Sequence, residues 1–349
     1  MHLMIPSASA LGEACQHTRS HLKLPQLAGL LGLLTPDSPP VGGDATCFNT
    51  PFEAMLARLR IAPSAPDKGL SRAQPQAISD GHLPVAAWLA QAAGEDPRLP
   101  WALLTPLHLT VGSDGISAYP PSALNLTDDE SQAYFNALAE LWPTAEGWQA
   151  RWVSRYQWLL THPCFEGVAS ASLERVIHRN VDAWMPEVRH LRTLQNEVQM
   201  LLHRQPLNEA REAQGKLALN SVWISGCGSD SSTAPALPPF HPFSAPLPNH
   251  DPAIASATPT DKNFCIDLRL QTPMIEGDWA SWGDAWAALD AGPILTLRER
   301  ASLGESVRLT LCGERFAQSY ALPQRSTLQK TLQRWLPPRA DVAAILEAL

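Results

Sequence analysis

Arg211 carries the side chain best suited to hold an anion, a planar fork of N–H donors that matches a phosphate or a carboxylate. Asn208 and Asn220 place amide groups at either end of the turn around it, and Gly226 and Gly228 follow a few residues on. Asn208, Arg211, Asn220, Gly226 and Gly228 therefore form one candidate ligand-binding set. A plainer reading is also open, in which Arg211 pairs with Glu209 or Glu212 and the asparagines cap the turn. Cys227, between the two glycines, is either a reactive thiol or a small buried one.

No catalytic residue and no metal ligand stands out by spacing. Asp44, Asp80, His82, His108 and Glu314 match no known ligand pattern, and a short Asp80-Gly81-His82 run arises by chance in many loops. Ser7 and Ser9 have no partner base recognisable from sequence, so a hydrolase triad is unsupported. Gly226-Cys227-Gly228 is too short for a nucleotide-type phosphate loop.

The elements that must position the candidate set read clearly. Leu191, Leu194, Val198, Leu201 and Leu202 recur at three- and four-residue intervals, which predicts a buried helix ending before Pro206. A polar turn or second short helix follows over Leu207–Arg211, and Gly215 closes it. Val222, Trp223 and Ile224 lie in an apolar, β-prone run from Leu219 to Ser225, expected to stop in a turn at Gly226-Cys227-Gly228.

Upstream, Leu103, Leu107, Leu109 and Val111 lead to Ser113-Asp114-Gly115 and Ile116–Tyr119, the pattern of an antiparallel pair. Thr127 followed by Asp128, Asp129 and Glu130 is a capping box opening a helix with Tyr134 and Leu138 on its apolar face. Trp148–Leu160 predicts one or two more strands. In the first hundred residues, His2–Ile5 reads as a strand, Leu22–Leu34 as an interrupted helix, and Pro51–Leu59 and Leu83–Ala93 as short helices. The last part alternates helix (Trp279, Trp282, Trp286, Leu289), strand (Val307, Leu309, Leu311) and helix (Leu328, Leu332, Trp335). Strand and helix together predict an α/β protein.

Composition narrows the partners. The 26 basic and 34 acidic residues leave a formal charge of -8 without a basic run, which argues against nucleic acid. The apolar tract Leu27–Leu34 is too short to span a bilayer, no secretory signal is apparent, and the six scattered cysteines suit reduced thiols, so the expectation is a cytoplasmic protein off the membrane. Ser229–Lys262, rich in proline, serine and alanine, reads as a linker or long surface loop.

Pro206, Asn208, Arg211, Gly215, Asn220, Trp223, Gly226 and Gly228 also make up a pattern that resembles cofactor-independent phosphoglycerate mutases. The archaeal-type branch is the nearest match, especially its mutase-like or regulatory proteobacterial side group; Gln205 stands where the pattern has histidine. The resemblance implies an alkaline-phosphatase-like α/β core with an inserted α+β mutase-like domain. It suggests boundaries of 1–100 for the first part of the core, 101–228 for the insert, 229–263 for the linker and 264–349 for the rest of the core. Active members hold two divalent metals, such as manganese, on Asp and His. The pattern places Asp-Gly directly after the first strand and Asp-His at the tip of a strand near the carboxyl end. This chain has Ile5-Pro6-Ser7-Ala8 and Cys312-Gly313-Glu314 there. The resemblance thus implies a degenerate core without cofactor, binding a small phosphorylated or carboxylate metabolite or a protein partner; an active metal-dependent phosphomutase with unrecognised ligands is the alternative.

Overall fold

The computed structural model describes residues 1–61, 79–113, 115–238, 240, 264–323 and 340–349. The chain is a mixed α/β protein of two units, one formed by Met1–Ala45 with Leu247–Leu349 and the other by Thr46–Pro246. In chain order the first unit opens with β1 (His2–Ile5), α1 (Glu13–His21), α2 (Pro25–Leu33), β2 (Thr35–Pro36) and β3 (Val41–Gly42). The second holds α3 (Pro51–Ile61), α4 (Val85–Ala92), β4 (Trp101–Leu107), β5 (Leu109–Gly112), β6 (Gly115–Ala118), α5 (Asp128–Ala137), β7 (Gln149–Ser154), β8 (Gln157–Thr161), α6 (Leu173–Val176), α7 (Arg189–His203), α8 (Pro206–Glu212) and β9 (Ser221–Gly228). The first unit then resumes with β10 (Phe264–Ile266), α9 (Gln271–Glu276), α10 (Trp279–Leu289), α11 (Leu295–Ser302), β11 (Arg308–Cys312), β12 (Phe316–Ala321) and α12 (Val342–Glu347).

In the first unit the strand order is β10-β1-β11-β12-β2, with β3 also on β12. β1 runs parallel to both β10 and β11, and β12 is antiparallel to β11. A central parallel strand is covered on both faces and needs apolar residues in succession. Leu3, Met4 and Ile5 meet that need, at 1%, 0% and 0% exposure. Trp282 and Trp286 are fully buried beside Leu289 and Leu309, so the tryptophan stripe of α10 is core, with ring contacts near perpendicular. The Asp290 carboxylate, just beyond α10, accepts the free N–H groups of Gln26 and Leu27 at 3.1 and 2.7 Å, capping α2 from a distant part of the chain.

In the second unit an antiparallel sheet runs β7-β8-β4-β9, beside a separate β5-β6 hairpin. The expected pairing of Leu103–Val111 with Ile116–Tyr119 is therefore divided. Leu103 to Leu107 belong to β4 and pair with β8 and β9, while the hairpin begins only at Leu109. Asp114 in its turn lies outside the described residues. The capping box forms as expected: Thr127 Oγ1 accepts the Glu130 N–H at 3.1 Å and Glu130 Oε2 accepts the Thr127 N–H at 2.8 Å. α7 buries Leu191, Leu194, Val198 and Leu202, as its periodicity requires.

Other expectations change. The second unit begins at Thr46, and within it α4 packs on β4 and β9. The glycines at 226 and 228 do not end β9 in a turn but continue it, through a bulge that shifts the register between Trp101 and Leu103. The beginning of the expected linker is tied down: Arg60 holds Asp230 at 2.7 Å and the Pro235 carbonyl at 3.0 Å, and Asp230 is 9% exposed. Residues 241–263, the helix expected around Leu328, Leu332 and Trp335, and most of the loop from Pro63 lie outside the described residues.

Candidate functional site

The candidate set gathers where α7, α8, α5 and β9 meet. Pro206 opens α8 at its first turn, and α8 buries Asn208 and Arg211. Asn208 Oδ1 accepts the Tyr134 hydroxyl at 2.6 Å and the Leu219 N–H at 2.9 Å, while its Nδ2 donates to the carbonyls of Leu202 and Leu219, both at 2.8 Å. Its amide thus joins the end of α7, the side of α5 and the approach to β9. Asn220 does the same job of replacement between strands: its Oδ1 accepts the Leu109 N–H and its Nδ2 donates to the Leu109 carbonyl, both at 2.8 Å. That side chain continues the pairing of β9 past the break between β4 and β5.

Arg211 is 2% exposed. Its Nε donates to the Leu217 carbonyl at 3.0 Å, Nη1 to Glu130 Oε1 at 2.8 Å, and Nη2 to the Leu124 carbonyl. Neither of the neighbours expected to pair with it does so; the partner is Glu130, from the capping box of α5. Every nitrogen of the fork has a protein acceptor, and the side chain is enclosed. The arrangement ties the turn to the start of α5.

Gly226 and Gly228 have positive φ, 63° and 130°. A Cβ at Gly226 would lie 2.7 Å from the backbone nitrogen of Ala86 and 2.9 Å from Val85 Cβ, so glycine is what lets α4 press onto the bulge of β9. Cys227 is buried, and burial pushes its thiol up to about 12, which makes it a protonated, inert group. All six cysteines are free. Of the five predicted site residues, the structure brings Asn208, Arg211 and Asn220 into one structural turn and puts Gly226 and Gly228 against α4.

Hydrogen bonds close the strand ends that the resemblance assigns to metals. At the end of β1, Ser7 adopts φ 59°, and its carbonyl accepts the Trp282 indole N–H at 2.9 Å. Ala8 donates to the Cys312 carbonyl at 2.8 Å, Ser9 Oγ accepts Arg19 Nη1 at 3.1 Å, and Glu314 Oε2 accepts the Leu11 N–H at 2.7 Å. Cys312 is fully buried, and burial pushes its thiol well above the ordinary range. Two divalent ions need several carboxylates and imidazoles. A neutral hydroxyl, a protonated thiol and one carboxylate already engaged by a backbone N–H do not fit them. Among the described residues no three His, Cys, Asp or Glu side chains gather in a metal-ligating group. Asp80 is engaged with the Phe48 and Asn49 N–H groups, and His108 Nδ1 bonds the Ala218 carbonyl.

Sequence reasoning missed a polar cluster in the second unit. Glu53 on α3, Ser172 just before α6 and Glu174 within it line one small cavity together with Ser225 of β9. Glu53 reads as an ordinary first-turn acid of a short helix, so only its burial, at 9% exposure, distinguishes it. Burial raises the Glu53 carboxyl above its ordinary range, and burial followed by the Glu53 charge raises Glu174 to about 7.

No helix among the described residues is long and apolar enough to cross a membrane. No protein-family model matches the chain, and no curated protein matches it by sequence. Two solved structures are similar to it: the cofactor-independent phosphoglycerate mutase from Thermoplasma acidophilum DSM 1728, at 11% identity over 98% of this chain and 94% of that one with a TM-score of 0.34, and the PH0037 protein from Pyrococcus horikoshii, at 12% identity over 99% and 91% with a TM-score of 0.47. At such identities and scores neither transfers the role of any residue to this chain.

Proposed function

We propose that this chain is a phosphoglycerate-mutase-like protein that has given up the two-metal chemistry of its relatives and works as a binding or regulatory protein. The resemblance around Asn208, Arg211 and Asn220 motivates the family reading. The observation that carries the loss of chemistry is the state of the strand ends of β1 and β11. Pro6-Ser7-Ala8 and Cys312-Gly313-Glu314 stand where the relatives have Asp-Gly and Asp-His, and the two segments are hydrogen-bonded to each other rather than left open. Hard divalent ions at such a site neutralise a transferred phosphoryl group, which requires charged oxygen and nitrogen donors. On this reading the bound species is a phosphorylated or carboxylate metabolite or a protein partner, and the engagement of Arg211 with Glu130 and two carbonyls favours a place away from that side chain.

Metal analysis of purified protein tests the reading together with mutase and phosphatase assays in added manganese. The expected result is substoichiometric divalent metal and no chelator-sensitive turnover. Two tightly held metals per chain, with activity lost on chelation, would overturn it.

A further inference from the structure

Residues 342–349 lie wholly inside the first unit and close the crevice at the carboxyl ends of β1 and β11, the end of a parallel sheet at which open α/β folds take their ligands. The turn between β11 and β12 receives Leu349 directly. The N–H groups of Arg315 and Phe316 both donate to the Leu349 carbonyl, at 2.9 and 2.6 Å, and a Cβ at Gly313 would lie 2.6 Å from Leu349 Cβ. The loop after β1 is joined to the same turn by Ala8 and Leu11, which donate to the Cys312 carbonyl and to Glu314. Leu346 and Leu349, at 0% and 4% exposure, enter the apolar cluster that holds Cys15 of α1, Leu31 of α2 and Leu311 of β11.

What holds α12 in place is narrow. A six-residue helix is too short to persist alone, so it depends on its contacts. Of residues 341–349 only Leu346 and Leu349 are buried. Glu347 stands 3.9 Å from Arg19 with its side chain 73% exposed, and such a pair contributes little. Elements with so little buried apolar surface open ahead of the rest of a domain. The receiving side does not depend on α12 for its shape. Gly313 donates to the Phe316 carbonyl at 2.8 Å, and Arg19 donates to Ser9 at 3.1 Å. Opening α12 therefore uncovers two converging N–H donors, the space that Leu349 fills against Gly313, and the Arg19 guanidinium. Arg315 Nε is a further buried donor with no partner among the described residues.

We propose that α12 is a displaceable strap, and that the crevice beneath it docks a helical Leu-X-X-Leu segment of a partner protein in place of Leu346 and Leu349. The partner's chemistry is set by what α12 itself presents. Two leucines three residues apart share one helical face, the carbonyl of the second meets Arg315 and Phe316, and an acidic residue after the first faces Arg19, as Glu347 does. Such a segment is the protein partner of the binding reading above, on which it rests. Metal content, which tests that reading, is measured independently of peptide binding.

Fluorescence anisotropy of a labelled peptide of residues 340–349 against the full chain tests this. In wild type α12 competes, so binding should be weak. Leu346→Ala with Leu349→Ala weakens the competitor and leaves the crevice intact, so the peptide should bind roughly tenfold more tightly. A peptide with both leucines replaced by alanine should bind to neither protein. Gly313→Ala added to the double variant puts a Cβ where the second leucine packs and should remove the gain. Should the double variant not fold, hydrogen exchange of wild type takes its place, with α12 amides expected to exchange roughly tenfold faster than those of β11. Equal peptide affinity in wild type and double variant, equal affinity of the alanine peptide, a gain that survives Gly313→Ala, or exchange of α12 only together with β11 would overturn the strap.

Discussion

Replacing Arg211 by methionine keeps most of the side-chain volume and removes the fork, so the cost measures what the buried charge holds together. Three acceptors lose their donor at once: Glu130 Oε1 and the carbonyls of Leu124 and Leu217. Removing one partner of a buried charged pair typically costs about 3–5 kcal/mol. The Arg211 side chain is 3% exposed but that of Glu130 is 24% exposed, which places the expected loss at the lower end, about 3 kcal/mol. Arg211→Lys keeps a charge that reaches one or two of the three acceptors, and should lose roughly half as much. The pH dependence adds a sign. Burial acts to raise the Glu130 carboxyl, but the Thr127 N–H, Arg211 and Lys216 together outweigh it, so its pKa lies below the ordinary value. A depressed pKa contributes stability above the unfolded value that is lost as pH falls through the folded one. In Arg211→Met the carboxyl moves back toward its ordinary value, so the acid-side loss becomes shallower than in wild type. Urea-dependent hydrogen exchange of the β9 amides reads both effects. A variant within about 0.5 kcal/mol of wild type, with an unchanged acid limb, would refute the structural role and return Arg211 to the list of free ligand groups.

Gly226→Ala should destabilise the second unit by roughly 2–4 kcal/mol, from a left-handed backbone and a Cβ pressed on Ala86, whereas Gly215→Ala, with φ 70° and open space around it, should cost only about 1–2 kcal/mol; equal losses in chemical denaturation would contradict the close approach of α4. Arg60→Met breaks the pair with Asp230, whose side chains are 4% and 10% exposed, and should lose about 3 kcal/mol while exposing residues 230–235 to protease; an unchanged digestion pattern would mean that the tie is dispensable. Glu174 has a raised folded pKa, so the folded state holds the proton longer and stability should fall as pH rises from the unfolded carboxylate range to about 7. Glu174→Gln should flatten that slope in pH-dependent denaturation, and a slope that persists would assign it to other groups.

The sequence by itself determined the elements whose signals are local. The stripe of α7 follows from leucine spacing, the capping box of α5 from Thr127 and Glu130 three residues apart, and the tryptophans of α10 from helical recurrence. Hydrogen bonds and burial within one turn or one face depend on neighbours in the chain, so they are written in order. The tertiary structure decided what those residues meet. Glu130 was legible as a cap and Arg211 as a donor fork, but only folding brings them together across 81 positions in an internal tie. Asn220 likewise serves a strand break at Leu109, 111 residues away, that period-two patterning does not mark. The glycines of β9 read as a turn because a run of small residues usually ends a strand; in the fold they continue it through a bulge, with Val85 and Ala86 of α4 close against Gly226. Glu53 and Glu174 are unremarkable in sequence, since a carboxylate shows its character only when its surroundings exclude water. Their shared cavity exists because α3, α6 and β9 converge, and that convergence is a property of the fold.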